Sequence, residues 1–186
     1  ATEPRSTRPT LGGPPIRPRG SPADGVKPLP SVGGSMTTLS LLAGLALGPL
    51  VGLVATLAMD VAMARLPEGA TAPKVAAGVL TDTPVDDAPE RLATWVHYVA
   101  GAGSGLLFVG LVAATGRLLG VGTAVTVVAA GAVQLALMVG FFALVPLPRA
   151  PGLPRQRLGP IRRDWAVSAA AYVAVAAVVV AVATGI

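Results

Sequence analysis

The chain has 186 residues, of which 53% are hydrophobic and 12% are charged, and it carries a formal net charge of +5. A water-soluble domain has roughly 25% charged residues, so this composition lacks the polar side chains that a water-facing surface requires. The lack of cysteine and the single histidine exclude disulfides, thiolate metal sites and metal sites built from several histidines. The composition therefore predicts a small integral membrane protein with no cofactor and no metal.

The first 35 residues contain eight prolines, six glycines and five basic residues. Such a segment buries too little apolar surface to offset the entropy of ordering, so residues 1–35 are predicted to be a disordered tail. One interpretation makes the tail a basic arm that contacts anionic lipid or nucleic acid. The favoured interpretation is that the native reading frame begins at Met36, with the tail upstream of it and no nucleic-acid partner.

Four hydrophobic stretches follow the tail. A helix needs about 20 apolar residues to cross a hydrocarbon core of roughly 30 Å. The stretches that meet this length are residues 39–66, 92–114, 121–145 and 165–183. Each is a continuous apolar run and does not alternate as the strands of a membrane barrel do. We therefore predict an all-α fold, a four-helix up-down bundle that crosses the membrane.

Basic residues at the helix ends indicate the orientation of this bundle. The loops at residues 67–91 and 146–164, with the adjoining helix ends, carry eight Lys and Arg residues, against Arg117 on the opposite side. The positive-inside rule then places both loops in the cytoplasm and both termini outside. The five basic residues of the tail would nearly cancel this difference if the tail belongs to the native protein.

The two loops differ in character. In the first loop, residues 73–80 are predicted to form a short interfacial helix with Val75, Val79 and Leu80 facing the membrane. The second loop is rich in arginine, and basic residues beside a membrane attract anionic lipid headgroups. These arginines either bind lipid or, in the favoured interpretation, only fix the topology; they are Arg149, Arg155, Arg157, Arg162 and Arg163.

Small residues recur every four positions along the first two spans. Residues at this spacing lie along one helix face, and glycines on that face allow a neighbouring backbone to come close. The first span carries Gly44, Gly48 and Gly52, and the second carries Gly101 and Gly105. We predict that these two helices pack tightly through their glycine faces.

Two ionisable residues lie within these same spans. Asp60 and His97 each lie six residues inside the same end of the bundle, at a depth of about 9 Å for a rise of about 1.5 Å per residue. Because ionisable groups are costly in lipid, they are expected to face the interior and to pair with each other. The favoured interpretation is a structural hydrogen bond between helices, and the alternative is a proton-sensing or proton-relaying couple.

Other polar and aromatic side chains complete the set of candidates. Gln134 lies near the middle of the third span and either lines a substrate site or bridges helices. Thr56 and Tyr98 are further candidates for a cavity wall or for helix bridging. Trp95, Tyr98 and Trp165 are expected in the aromatic belts of the membrane interfaces. The fourth span, mostly alanine and valine, is expected to offer no functional side chain.

Two short motifs link the chain to a known group of proteins. Residues 52–59 read GLVATLAM, and residues 97–105 read HYVAGAGSG. The pattern G-x-x-A-T-x-x-M in the first helix with H-x-x-x-G-x-x-x-G in the second resembles a family of small uncharacterised prokaryotic four-span integral membrane proteins. The resemblance covers about residues 44–110. It implies a four-helix bundle, and it implies no catalytic residues.

Three functions are compatible with these features. The favoured one is a structural or accessory-subunit role, in which the bundle contacts membrane lipids, other membrane subunits or a copy of itself. The alternative is a proton-coupled transporter or channel component that uses Asp60, His97 and Gln134. An enzyme is least favoured, because the sequence has no recognisable catalytic motif. A transporter requires a hydrated cavity that reaches Asp60, whereas a packing element does not.

Overall fold

The structure, a computed structural model, describes residues 33–120 and 123–185. These residues form five α-helices and three short 3-10 helices, with no strand among them. The α-helices are α1 Gly33–Met63, α2 Thr71–Thr81, α3 Glu90–Leu119, α4 Thr123–Leu144 and α5 Leu158–Thr184. The predicted all-α fold is therefore confirmed. Residues 1–32 of the predicted tail lie outside the described residues, and its last three residues belong to α1.

Four of the described helices are long and apolar enough to cross a membrane, namely α1, α3, α4 and α5. The chain is thus a multi-pass membrane protein, as its composition predicts. Around the bundle, α3 packs on α1, α1 on α5, α5 on α4 and α4 on α3, and the most extensive contact is between α1 and α3. Each long helix therefore has two neighbours, and α1 faces α4 across the centre.

Three helix ends differ from the bounds that hydropathy suggests. α5 begins at Leu158 and not at residue 165, because the charged residues 162–164 are helical even though their polarity resembles that of a loop. Pro160 is tolerated there since the first turn of a helix has no internal partner for its N–H groups. α3 continues to Leu119, where Gly120 adopts a φ of 58° and ends the helix. α1 ends at Met63, three residues before its predicted end.

The short helix expected at residues 73–80 is present as α2, but the membrane-facing side predicted for it is wrong. Val75 is fully buried and packs in a cluster with Phe142 and Ile161, and only Leu80 of the three predicted residues is exposed. The cause is the second loop, which folds back so that the ends of α4 and α5 cover α2. This helix therefore closes one end of the bundle.

The two loops on this end of the bundle contact each other through charged side chains. The Arg157 guanidinium donates hydrogen bonds of 2.9 Å to both carboxylate oxygens of Glu68 and of 3.1 Å to both oxygens of Asp86. The Glu68 backbone N–H donates to Oδ2 of the fully buried Asp164 at 2.9 Å. The hydrogen bonds from Arg157 hold the pKa of Glu68 below its ordinary value. These contacts require both loops to lie on the same side of the membrane.

Candidate functional site

The glycine faces of α1 and α3 lie against each other. A Cβ on Gly48 would come within 2.6 Å of the Leu106 Cα, and one on Gly52 would overlap the Gly101 carbonyl oxygen. A Cβ on Gly105 would overlap the backbone of both Gly48 and Gly52. The two backbones are therefore close enough that only glycine fits at these positions.

Gly44, Thr56 and Gly101 also belong to the two small-residue faces, but their surroundings differ from those of Gly48, Gly52 and Gly105. Gly44 has nothing the structure describes within 4 Å of the position that a Cβ would take, so the predicted packing role does not extend to it. Thr56 is fully buried, and its hydroxyl donates to the Gly52 carbonyl oxygen at 2.7 Å. A Cβ on Gly101 would overlap the Thr56 side chain, so Thr56 occupies the space which that glycine leaves free.

One turn beyond Thr56, Asp60 forms a polar group with two residues of α3. His97 Nε2 lies 2.7 Å from Asp60 Oδ1, and the Tyr98 hydroxyl donates to Asp60 Oδ2 at 2.7 Å. The His97 side chain is 10% exposed and that of Asp60 is 35% exposed. When Nε2 carries the hydrogen and donates it to the carboxylate, Nδ1 is able to bind a further proton while both hydrogen bonds to Asp60 persist. The structure thus brings together three of the residues that the sequence singles out.

Two spaces adjoin this polar group. The first, which we call the outer cleft, has a volume of about 360 Å³ and is lined by Asp60, Tyr98, His97, Lys74 and Glu90 among others. The Lys74 ammonium lies 3.6 Å from a Glu90 carboxylate oxygen, and the Glu90 side chain is 84% exposed. The outer cleft therefore contains charged side chains, and it opens at the end of the bundle that carries the loops.

The second space, which we call the inner cavity, has a volume of about 440 Å³ and is lined by residues of all five helices. Its walls are mainly apolar, and its polar residues include Thr56, His97, Ser104, Gln134 and Tyr172. Volumes of about 300–1,000 Å³ are typical of sites for small molecules. His97 lines the inner cavity as well as the outer cleft.

Gln134 lies in the wall of the inner cavity with one half of its amide unpaired. The residue is fully buried, and its Nε2 donates to the Ser104 carbonyl oxygen at 3.3 Å. Its Oε1 has no hydrogen-bond partner among the described residues. A buried acceptor without a partner costs about 1–3 kcal/mol, so a hydrogen-bond donor that reached this atom would remove that cost.

The inner cavity opens sideways between α3 and α4. Leu107 on α3 is 47% exposed, and Leu137 and Phe141 on α4 are 48% and 64% exposed, yet all three also line the cavity. Since α3 and α4 are both candidate spans, this opening faces the region that lipid chains occupy. These exposed lining residues give a molecule a route into the cavity from the bilayer.

α5 contributes side chains that its composition does not suggest. The Tyr172 hydroxyl donates to the Gly101 carbonyl oxygen at 2.7 Å, and Trp165 Nε1 donates to the Met138 carbonyl oxygen at 3.2 Å. Both residues line the inner cavity. The fourth span, from which no functional side chain is expected, therefore contributes two residues to the cavity wall. An aromatic residue in an alanine- and valine-rich helix is the sequence signal that identifies them.

The arginines of the second loop do not act as one group. Arg157 is held by Glu68 and Asp86, and the Arg163 guanidinium lies 2.9 Å from Asp164 Oδ1. Arg149 donates to the Val145 carbonyl oxygen at 2.6 Å, while Arg155 and Arg162 are exposed. Lipid headgroup binding thus remains a prediction for the exposed arginines. In the part of the chain that the structure describes, no group of three or more His, Asp or Glu side chains is arranged to hold a metal ion.

Comparison of the chain with protein-family models, curated proteins and solved structures gives no match. The resemblance to small four-span proteins therefore stays a prediction. The function has to be argued from the polar group, the outer cleft and the inner cavity.

Proposed function

We propose that the protein is a small-molecule-binding component of a proton-linked transport process in the membrane. The observation that carries this proposal is the position of His97, whose side chain forms part of the wall of both the outer cleft and the inner cavity. A change in its hydrogen bond to Asp60 would join the two spaces. The small molecule would occupy the inner cavity, and the Asp60–His97 pair would control its connection to the loop side of the membrane.

A proton link is supported by the charged groups around His97. Asp60 is the hydrogen-bond partner of the His97 imidazole, and Tyr98 donates to the other oxygen of the same carboxylate. Lys74 and Glu90 pair with each other in the outer cleft, and Tyr172 lines the inner cavity. Protonation of the imidazole makes its bond to the Asp60 carboxylate an ion pair, which is stronger than the neutral hydrogen bond. The charge on the imidazole would therefore decide how firmly the two spaces are kept apart.

A structural or accessory-subunit role is the less favoured proposal. Its main support in the sequence is the pair of glycine faces, and these faces are occupied within the chain, where α1 and α3 bury them against each other. They are therefore not available to another subunit. An inner cavity is also not needed by a helix bundle whose role is packing alone.

The orientation of the protein is a further part of the proposal. Eight Lys and Arg residues lie on the loop side of the spans from Met36 onwards, against Arg117 on the other side, which favours loops in the cytoplasm and termini outside. The outer cleft would then open to the cytoplasm.

Thiol labelling tests this proposal, because the chain has no cysteine of its own. Ser104→Cys places a thiol on the inner cavity, and Ser168→Cys places one at a fully buried position outside the cavity wall. Only the hydrated thiolate reacts, so a small hydrophilic thiol reagent added from the loop side reports on water in the cavity. We expect the Ser104→Cys protein to react at least about tenfold faster than the Ser168→Cys protein, since only the former thiol meets the cavity.

Removal of the His97 side chain should open the path to the cavity. We expect His97→Ala to increase the labelling rate at Ser104→Cys and to leave the rate at Ser168→Cys unchanged. An unreactive Ser104→Cys thiol in both backgrounds would show a cavity closed to water and would refute the transport proposal.

A further inference from the structure

We infer that the inner cavity binds a neutral, mainly apolar molecule that carries a hydroxyl or N–H group, and that Gln134 Oε1 accepts a hydrogen bond from this group. The inference rests on the proposed function, because it assumes that the inner cavity is a binding site. It adds the chemical class of the ligand and the atom that selects it.

The requirement for a donor follows from the way in which the Gln134 amide is held. Nε2 donates to the Ser104 carbonyl oxygen, and a carbonyl oxygen is able only to accept. Exchanging the two ends of the amide would bring two acceptors together, so the Ser104 carbonyl fixes Oε1 as the free end. Oε1 is buried and without a partner among the described residues. A ligand that offers only acceptors, such as an ether or a ketone, would leave it unpaired.

The requirement for an apolar and neutral ligand follows from the walls. The described residues that line the inner cavity include no Asp, Glu, Lys or Arg, and most of them are aliphatic or aromatic, as Leu107, Met138 and Phe142 are. A charged ligand would have no opposite charge there except at the His97 end, and burying an unpaired charge is strongly unfavourable. The sideways opening between α3 and α4 gives an apolar chain a route from the bilayer, so the ligand class fits a lipid-like alcohol or amide.

The two tryptophans of the chain provide the measurement. Trp165 lines the inner cavity, whereas Trp95 is 70% exposed on α3. In lipid nanodiscs, a Trp95→Phe protein reports on the cavity through Trp165 fluorescence, and a Trp165→Phe protein reports on simple partitioning into the bilayer. The probes are a dodecanol with a terminal bromine, which quenches tryptophan on contact, and the methyl ether of the same bromoalcohol.

We expect the alcohol to quench Trp165 saturably and to bind about three- to tenfold more tightly than the ether, the ratio expected for one hydrogen bond to a neutral buried acceptor. Quenching of Trp95 should not distinguish the two probes. Gln134→Met, which keeps the length of the side chain, should bring the ratio of affinities at Trp165 close to one. The matched control Gln156→Met, at an exposed loop glutamine, should leave the ratio unchanged.

The possible results distinguish a failure of this inference from a failure of the proposed function. Equal affinities of alcohol and ether in the parent protein, or a ratio that survives Gln134→Met, would overturn the role of Gln134 and leave the cavity as a binding site. Absence of saturable quenching by either probe would overturn both. The comparison of the two probes in the parent protein does not depend on whether the Gln134→Met protein folds.

Discussion

Replacing Gly105 with alanine should destabilise the bundle, because α1 leaves no room for a Cβ at this position. The added atom would overlap backbone atoms of Gly48 and Gly52, and a backbone, unlike a side chain, does not rotate away. Overpacking by a single methyl group typically costs about 1–3 kcal/mol, and contact with backbone belongs at the upper end of that range. Relief of the overlap requires α1 and α3 to separate, which also strains the hydrogen bonds to Asp60.

Gly103→Ala is the matched control on the same helix. Gly103 is exposed, and a Cβ there would meet nothing within 4 Å in the described structure. Alanine is favoured over glycine within a helix by about 0.5–1 kcal/mol, so this change should be neutral or stabilising. The two single substitutions, which are chemically identical, are therefore expected to have effects of opposite sign.

The assay is equilibrium unfolding in mixed micelles with a rising mole fraction of dodecyl sulfate, followed by helical circular dichroism. We expect the unfolding free energies of the two variants to differ by about 1–3 kcal/mol, which is the packing cost alone, because the gain in helix propensity is common to both and cancels. Equal stability of the Gly105→Ala and Gly103→Ala proteins would refute the close approach of α1 and α3.

Two further predictions concern the polar contacts. Asp60→Asn and His97→Ala should be non-additive in the same assay, with a coupling of about 0.6–1.7 kcal/mol, the range measured for hydrogen bonds between membrane helices, and additive effects would contradict their contact. Because Arg157 lowers the pKa of Glu68, the ionised carboxylate contributes stability that is present above its ordinary pKa of 4.5 and is lost as the pH falls through the lowered value. The Glu68→Gln protein should therefore lose less stability in acid than the parent protein, measured as unfolding free energy against pH. An unchanged dependence of stability on pH in the acid range would argue against the ion pair.

The contacts between α1 and α3 are the part of the site that the sequence anticipates best. Glycines four residues apart identify the faces, and two spans that follow each other in the sequence are expected to pack as antiparallel neighbours. Asp60 and His97 lie at equal distance from the first loop, so depth alone pairs them. The role of Tyr98 is harder to anticipate, since a tyrosine at this depth is also typical of an aromatic belt.

The hydrophobic periodicity of the sequence predicts neither the inner cavity nor the burial of α2. A cavity depends on where side chains fall short of filling the space between helices, and its walls here come from five helices that are distant in the sequence. The partner of Gln134 is a backbone carbonyl, at Ser104, which leaves no trace in the residue types. Val75 is buried because the second loop folds back over α2, and hydropathy does not distinguish this from burial in lipid.

The most direct test of the four-span arrangement is to determine on which side of the membrane each loop lies. Single cysteines at Asp87 in the first loop, at Gln156 in the second and at the 83%-exposed Leu118 near the end of α3 can be labelled with a membrane-impermeant maleimide in sealed vesicles. We predict that Asp87→Cys and Gln156→Cys label from one side, the cytoplasmic one, and that Leu118→Cys labels from the other. Labelling of the two loops from opposite sides, or of all three positions from the same side, would contradict a bundle that crosses the membrane four times.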